Sequence, residues 1–294
     1  MKAPKFSYLR AGSVEHVLEL LARYGEDAAI LAGGQSLLPA LNLRLSQPKL
    51  LIDINRLDRL GGVELGNDHI RIGALTRHAE IAASPLILQH LPLLAEAMPH
   101  VAHPAVRNRG TFGGSIALAD PAAELPACAL ALQARLVLLS AAGRREIAAA
   151  EFFTGLYRTA RRPDELLVEA QIPLKGKAKT VSVFMELARR HGDFALAGLA
   201  TELLLADGRI AEARLAYFGS DERPVLAGAV SAAITGKALD PTLAEAAVAA
   251  LAGDLSPIDN AQASASMRLH LQRVLTRRAL ALALTRSRQL GRAA

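Results

Sequence analysis

Two pairs of adjacent glycines, each flanked by small polar side chains, are the residues of this chain best suited to hold a ligand. One pair lies in residues 33–36, Gly-Gly-Gln-Ser, and the other in residues 111–115, Thr-Phe-Gly-Gly-Ser. Glycine lets backbone N–H groups approach a ligand closely, and successive N–H groups form a concavity that binds anions. Two such loops on neighbouring elements could hold the two phosphates of a dinucleotide, with added hydrogen bonds from their hydroxyl and amide side chains.

The common nucleotide-binding motifs are absent around both glycine pairs. No lysine follows either pair as in the G-x-x-x-x-G-K-[ST] loop, and there is no G-x-G-x-x-G followed by an acidic residue. The sequence therefore supports neither a P-loop ATPase nor a Rossmann-type dehydrogenase. Either pair alone is most often an ordinary turn, so the dinucleotide interpretation depends on the two together.

The second glycine pair lies in a longer run that resembles a known family. Residues 103–127, HPAVRNRGTFGGSIALADPAAELPA, resemble the FAD-binding subunit of the molybdenum hydroxylases, which include carbon monoxide dehydrogenase (its medium subunit) and xanthine dehydrogenase. The turn AGGQS at 32–36 resembles the first FAD loop of that family, and residues 187–195 resemble its loop near the flavin ring. The resemblance covers essentially the whole chain, including the C-terminal segment VLTRRAL at 274–280.

The resemblance implies an α+β fold in two domains. Residues 1–177 would form an FAD-binding domain of the vanillyl-alcohol-oxidase (PCMH) type, with subdomains of about 1–60 and 61–177. Residues 178–290 would form a smaller α+β domain with a three-stranded sheet. The FAD-binding residues that the resemblance implies are Ala32, Gly33, Gly34, Gln35, Ser36, Leu37, Val101, Thr111, Gly113, Gly114, Ser115, Asp120, Glu124, Leu167 and Phe194.

The resemblance also assigns roles within this set. Glu124 would reach the adenosine ribose, where a carboxylate suits two hydroxyl donors. Leu167 would pack near the isoalloxazine, and Phe194 would lie over the ring from the second domain. Many relatives carry a lysine in the strand before the Arg-Arg segment, whereas residues 184–187 here are Phe-Met-Glu-Leu. A positive charge beside the flavin favours its reduced form, so this departure bears on the reduction potential.

Composition limits what this chain can hold by itself. Of its 294 residues 51% are hydrophobic and 21% are charged, the balance of a globular protein of about two domains. The lone cysteine, Cys128, can hold neither an iron–sulfur cluster nor a zinc ion, and its apolar surroundings predict a buried side chain. We expect no metal here. The following histidines show no metal-ligand spacing and are expected mostly at the surface: His16, His69, His78, His90, His100, His191 and His270.

The net charge of +6 is concentrated near the C-terminus. From Ala261 onward there is no acidic residue and there are seven arginines: Arg268, Arg273, Arg277, Arg278, Arg286, Arg288 and Arg292. Apolar residues between them predict an amphipathic helix with arginines on a solvated or protein-binding face. No motif with interleaved aromatics accompanies the charge, so nucleic acid is not an expected partner. We also expect no signal peptide and no transmembrane segment, hence a cytoplasmic location.

Hydrophobic periodicity and turn residues predict the elements that must position the loops. Helices are predicted at 14–24, from a cap at Thr76 to 83, and at 86–98, 122–132, 225–234, 242–251 and 267–284. Strands are predicted at 28–31, 50–54, 70–74, 136–139, 165–172, 181–188, 196–205 and 210–217. Asp207-Gly208 is typical of a hairpin turn between the last two strands.

The function implied by the resemblance is that of an FAD-dependent oxidoreductase subunit. Electrons from the 2Fe-2S clusters of a small partner subunit would pass through FAD to a quinone, NAD or another acceptor. A large molybdopterin-binding subunit would oxidise the substrate, in a dimer of heterotrimers. This role needs no catalytic acid or base in the chain. Two alternatives remain: a stand-alone FAD oxidoreductase, for which no base is evident, and a non-enzymatic binding protein that uses the basic tail.

Overall fold

The computed structural model describes residues 2–176 and 178–292, with side chains as far as Leu290. Lys177, at which the sequence predicts the end of the first domain, lies outside the described residues. The strands are β1 (Ser7–Arg10), β2 (Ala28–Leu31), β3 (Leu50–Asp53), β4 (Val63–Leu65), β5 (His69–Gly73), β6 (Arg135–Ser140), β7 (Gly143–Ala148), β8 (Phe153–Gly155), β9 (Arg158–Thr159), β10 (Leu166–Pro173), β11 (Lys179–Leu187), β12 (Ala197–Ala206), β13 (Arg209–Phe218) and β14 (Val225–Leu226).

Short helices dominate the first half of the chain and longer ones the second half. The helices are α1 (Val14–Tyr24), α2 (Leu37–Asn42), α3 (His78–Ala83), α4 (Pro85–His90), α5 (Pro92–Ala97), α6 (Pro104–Arg107), α7 (Phe112–Leu118), α8 (Glu124–Ala131), α9 (Ala149–Phe152), α10 (Gly228–Ile234), α11 (Leu243–Asp254) and α12 (Ala265–Arg292).

The first sheet is parallel, in the order β1-β3-β2. Helix α1 begins as predicted, because the Ser13 hydroxyl accepts a hydrogen bond from the His16 backbone N–H at 3.2 Å. Its buried face, Val17 and Leu21, packs in one cluster with residues of β3 such as Ile52. Strand β2 is therefore an edge strand of a sheet that α1 packs against, and the first glycine loop follows β2 directly.

Helix α8 lies between the other two large sheets. The second sheet is antiparallel, in the order β4-β5-β10-β6-β7, and the third has the order β11-β12-β13-β14. All eight residues of α8 are buried, as expected for a helix that is apolar on every side apart from Glu124 in its first turn. One cluster joins this helix to Ile72 and Leu136 of the second sheet and to Ala200 and Phe218 of the third. Cys128, on this helix, is buried as predicted.

The third sheet has one strand more than predicted. The hairpin between β12 and β13 turns at Asp207 and Gly208, whose φ values of 51° and 73° are those that a type I′ turn requires. The two-residue strand β14 pairs with β13, so the prediction of a three-stranded sheet was wrong. The helix predicted at 225–234 begins only at Gly228, because its first residues pair with β13 instead.

Two further helix predictions were wrong. The segment 86–98 forms two helices, α4 and α5, because Pro92 has no N–H to donate and disfavours the helical conformation before it. Thr76 is not a helix cap. Its hydroxyl donates to the Gly73 carbonyl oxygen at 2.7 Å, and α3 begins after Arg77.

Helix α12 closes the second half of the chain. Leu275 and Ala279 face the hydrophobic cluster of the third sheet, as the amphipathic pattern predicts. Two residues depart from that pattern: Met267 is half exposed, and Arg268 is buried, where its guanidinium donates to the Leu196 carbonyl oxygen at 3.0 Å. Neither this helix nor any other in the described part of the chain is apolar enough over a sufficient length to cross a membrane.

Candidate functional site

A cavity of about 580 Å³ lies between the first sheet, the second sheet and the loop that follows β11. Its wall brings together segments that are far apart in the chain. All fifteen residues that the family resemblance names line this one cavity: Ala32, Gly33, Gly34, Gln35, Ser36, Leu37, Val101, Thr111, Gly113, Gly114, Ser115, Asp120, Glu124, Leu167 and Phe194.

The first glycine loop presents a run of free backbone donors. The N–H groups of residues 33–37 form no hydrogen bond with an acceptor among the described residues. Gly34 has a φ of +72°, a backbone conformation that is strained for residues with a side chain. The Gln35 side chain donates a hydrogen bond to the Gly33 carbonyl oxygen at 3.1 Å. Five consecutive unpaired N–H groups beside a cavity form the kind of concavity that binds an anion.

The second glycine loop is held tightly against the second sheet. The Gly113 N–H donates to the Ala74 carbonyl oxygen at 2.8 Å, and a Cβ at Gly113 would overlap Ala74. The Thr111 hydroxyl caps α7 by accepting from the Gly114 N–H at 3.1 Å. The two loops also touch each other, because a Cβ at Gly33 would collide with the carbonyl oxygen of Arg109. Both loops therefore need glycine for close backbone packing.

Two buried carboxyl groups line the cavity beyond the second loop. Burial raises the pKa of the Glu124 carboxyl to about 7, opposed by a hydrogen bond from its own backbone N–H and by His100 and assisted by the nearby carboxylate of Glu186. No side chain of the described residues donates a hydrogen bond to Glu124. Burial also raises the pKa of Asp120, which accepts from the Tyr157 hydroxyl at 3.1 Å. Glu124 is thus a buried acceptor available to hydroxyl donors of a ligand.

Sequence reasoning missed two charged or titratable residues of the cavity wall. Within the described residues, Arg161 is the one arginine or lysine that lines the cavity, and its Nη1 donates to the Glu165 carbonyl oxygen at 2.7 Å. His78 is buried and both of its ring nitrogens lack a hydrogen-bond partner in the described residues, so it is an exception to the expectation that the histidines lie mostly at the surface. Burial lowers the pKa of His78 to about 4, which keeps it neutral at pH 7. No motif marks either residue.

The rim of the cavity is formed in part by the second half of the chain. Phe194 is 59% exposed beside Gly192 and Asp193, in the loop that follows β11. Leu167 lies inside and is buried, and Val101 is buried on the wall. The cavity is therefore bounded on one side by an exposed aromatic ring that can cover a ligand.

Comparison with known families matches both halves of the chain. Residues 4–175 match the family described as FAD binding domain in molybdopterin dehydrogenase, and residues 182–283 match the CO dehydrogenase flavoprotein C-terminal domain. The chain belongs to the FAD-binding subunits of the molybdenum hydroxylases. The family resemblance of the sequence is confirmed: this chain is an oxidoreductase subunit of mixed α and β structure whose cofactor is FAD.

Individual relatives are similar over almost their full length. The chain is 42% identical to the 6-hydroxypseudooxynicotine dehydrogenase complex subunit alpha of Paenarthrobacter nicotinovorans, over 98% of this chain and 97% of the relative. It is 39% identical to the nicotine 6-hydroxylase medium subunit of the same organism, over 95% and 98%. The solved structure of carbon monoxide dehydrogenase from Hydrogenophaga pseudoflava matches with a TM-score of 0.94 and 37% identity, over 97% of this chain and 99% of that chain.

The residues present in the cavity fit FAD. The free N–H groups of residues 33–37 suit a diphosphate, which offers only acceptors. The buried Glu124 carboxyl suits ribose hydroxyls, which offer donors. The mostly apolar remainder of the wall, including Leu167 and Val101, suits the faces of aromatic rings.

Proposed function

We propose that this chain holds FAD with its diphosphate between the two glycine loops and conducts electrons through it. The observation that carries the proposal is the run of five free N–H groups at residues 33–37, in direct contact with the second loop. These donors are unpaired beside the cavity, and an anion there would satisfy them together. Gly33 packs against the backbone of the second loop and Gly113 against Ala74, so backbone contacts organise the two loops before the cofactor arrives.

The remaining residues of the cavity act on other parts of the cofactor. Thr111, Gly113, Gly114 and Ser115 complete the diphosphate site, with Val101 and Asp120 on the wall beside them. Glu124 accepts hydrogen bonds from the ribose. Leu167 packs on a ring, and Phe194 covers the flavin from the rim. Ala32 to Leu37 complete the wall on the other side, and the cation of Arg161 offsets part of the charge of the diphosphate.

The proposed domain division follows the two family matches. Residues 1–177 form an FAD-binding domain of the vanillyl-alcohol-oxidase type, with subdomains of about 1–60 and 61–177, and residues 178–290 form the C-terminal domain. The first and second sheets fall within the two subdomains, and the third sheet falls within the last segment. These limits agree with the proposed site, which lies where the three parts meet.

Partners complete the electron path. When bound, FAD can take up electrons and release them to an acceptor. We propose that a large molybdopterin-binding subunit oxidises the substrate and that a small 2Fe-2S subunit supplies the electrons to FAD. A quinone, NAD or another acceptor then receives the electrons from FAD. Relatives are named as a medium subunit and as a subunit of a dehydrogenase complex, which supports the presence of partner chains. The assembly that we propose is a dimer of heterotrimers. The proposed location is the cytoplasm.

The test is retention of flavin by the purified chain. The wild-type chain, mixed with FAD and desalted, is expected to keep the flavin absorbance. Gly114→Val adds a side chain to the cavity wall, against the Thr111 hydroxyl that caps α7, so it should release FAD while the protein stays folded. The matched control is Gly228→Val, because an added Cβ there meets nothing within 4 Å. A wild-type chain that takes up no FAD, alone or co-expressed with the subunits encoded beside it, would contradict the proposal.

A further inference from the structure

Asn55 and Arg77 connect the two glycine loops from behind. The Asn55 amide nitrogen donates to the Ala32 carbonyl oxygen at 2.8 Å, at the start of the first loop. The Arg77 Nη2 donates to the Asn55 side-chain oxygen at 2.7 Å. The Arg77 Nη1 donates to the carbonyl oxygen of Arg109, at the start of the second loop. Two adjacent side chains therefore join the backbone of one loop to the backbone of the other.

The first sheet fixes the orientation of the Asn55 amide. The Asp53 carboxylate, at the end of β3, accepts from the Asn55 backbone N–H at 2.9 Å and from its side-chain nitrogen at 2.8 Å. The other oxygen of Asp53 accepts from the Tyr8 hydroxyl at 2.5 Å. Since the amide nitrogen must face Asp53 and Ala32, the amide oxygen is left to face Arg77. The connection is thus anchored in the sheet rather than in the loops themselves.

The spacing that this connection maintains is narrow. The Arg109 carbonyl oxygen that Arg77 holds is the same atom that a Cβ at Gly33 would strike. An outward movement of either loop by about an ångström would separate the free N–H groups from the second loop. A ligand that binds between the loops is sensitive to errors of this size.

We propose that the Asn55–Arg77 pair is a positioning device that sets the distance between the two loops for the FAD diphosphate. The inference rests on the proposed function, because it needs the diphosphate to lie between these loops. Neither residue lines the FAD cavity, so both act through the backbone of the loops. The pair works by geometry: the planar guanidinium reaches two acceptors at once, which a lysine ammonium on a flexible stem does not do in the same arrangement.

The test is a double-mutant cycle on FAD affinity, measured by titration of FAD fluorescence in the full chain. Asn55→Ala and Arg77→Met should each raise the Kd about 10- to 100-fold, and the double variant should be little worse than either alone, because both remove one connection. Arg77→Lys should also weaken binding, by at least about fivefold, although the charge is kept. The losses should persist at high salt, whereas an effect of charge alone would be screened.

Arg71→Met is the matched control. Arg71 is also bound to backbone carbonyl oxygens and to a carboxylate, Glu169, but in the second sheet away from the cavity. Its loss should lower the thermal stability of the cofactor-free protein at least as much as Arg77→Met, with a Kd within twofold of wild type. Independent, multiplying effects of Asn55→Ala and Arg77→Met, or wild-type binding by Arg77→Lys, would overturn the positioning role. Failure of the wild-type chain to bind FAD would overturn the proposed function instead.

Discussion

Glu124 should make the stability of the cofactor-free protein depend on pH, and Glu124→Gln should remove that dependence. Burial raises the pKa of this carboxyl to about 7 from an ordinary 4.5. The folded state therefore holds the proton more tightly than the unfolded state. The stability from this group is fully present below about pH 4.5 and is lost as the pH rises through 7. The interval of about 2.5 pH units corresponds to roughly 3 kcal/mol at 1.36 kcal/mol per unit.

Urea unfolding of wild type and Glu124→Gln at pH 5, 6, 7 and 8 measures this effect. A neutral amide does not titrate. The free energy of unfolding of Glu124→Gln minus that of wild type should therefore increase by roughly 2–3 kcal/mol from pH 5 to pH 8. Glu26→Gln, an exposed residue after α1, is the matched control and should run parallel to wild type. A difference between wild type and Glu124→Gln that stays constant across this range would refute the reasoning.

FAD binding should depend on pH in the opposite direction to the stability, because it requires the ionised form of Glu124. Ribose hydroxyls donate to an ionised carboxylate, so FAD competes with the proton for Glu124. The wild-type Kd for FAD should rise as the pH falls below about 7, approaching tenfold per pH unit. Glu124→Gln should bind more weakly at pH 8 and lose most of this slope. A wild-type Kd that is flat from pH 8 to pH 5.5 would contradict the ribose contact without touching the stability prediction.

Three further changes test the packing around the site. Gly33→Ala should lower the free energy of unfolding by about 1–3 kcal/mol and weaken FAD binding, because the added Cβ would meet the backbone of the second loop. Gly12→Ala is the control and should change neither, because its Cβ would meet nothing within 4 Å. Equal effects of the two substitutions would contradict the reasoning. Tyr217→Phe should lose about 1 kcal/mol in urea unfolding, since its hydroxyl is hydrogen-bonded to Thr276 at 2.9 Å in the core, and an unchanged midpoint would be unexpected. Arg286→Met should lower the melting temperature of the full chain by detaching α12 from Glu96, and an unaltered melting curve would count against that contact.

Local signals explain which elements could be predicted from the sequence. Helix α1 has a serine before its first turn, an apolar stripe and a glycine at its end, so chain-local chemistry determines both its limits. The β12–β13 hairpin was equally accessible, because Asp-Gly supplies the positive φ angles that its turn needs. The two-residue strand β14 has no such signal. Its pairing is set by β13, a tertiary partner, and short pairings of this kind leave no periodicity to detect.

The candidate site likewise contains residues that a local sequence signal marks and residues that no local signal marks. The glycine loops were found because close backbone approach restricts residue type, and the restriction is visible in the sequence. Asn55, Arg77 and His78 were not found because nothing local distinguishes them. The hydrogen bonds that join Asn55 and Arg77 to each other and to the two loops span 22 to 32 positions along the chain. An ordinary asparagine after a strand and an arginine before a helix become a connection only once the two loops are folded side by side.

The cofactor-free site offers a ligand two hydrogen-bonding features of opposite kind. The N–H groups at residues 33–37 have no acceptor among the described residues, and the buried Glu124 carboxyl receives no hydrogen bond from another side chain of those residues. A simple anion would satisfy only the first and a neutral sugar only the second. FAD carries both an anionic diphosphate and ribose hydroxyls, so it satisfies both at once, whereas FMN has no adenosine ribose to offer. FMN also lacks one of the two phosphates and the adenine. Glu124→Gln should therefore weaken FAD more than FMN and lower the preference for FAD without abolishing it, while both flavins still depend on the glycine loops.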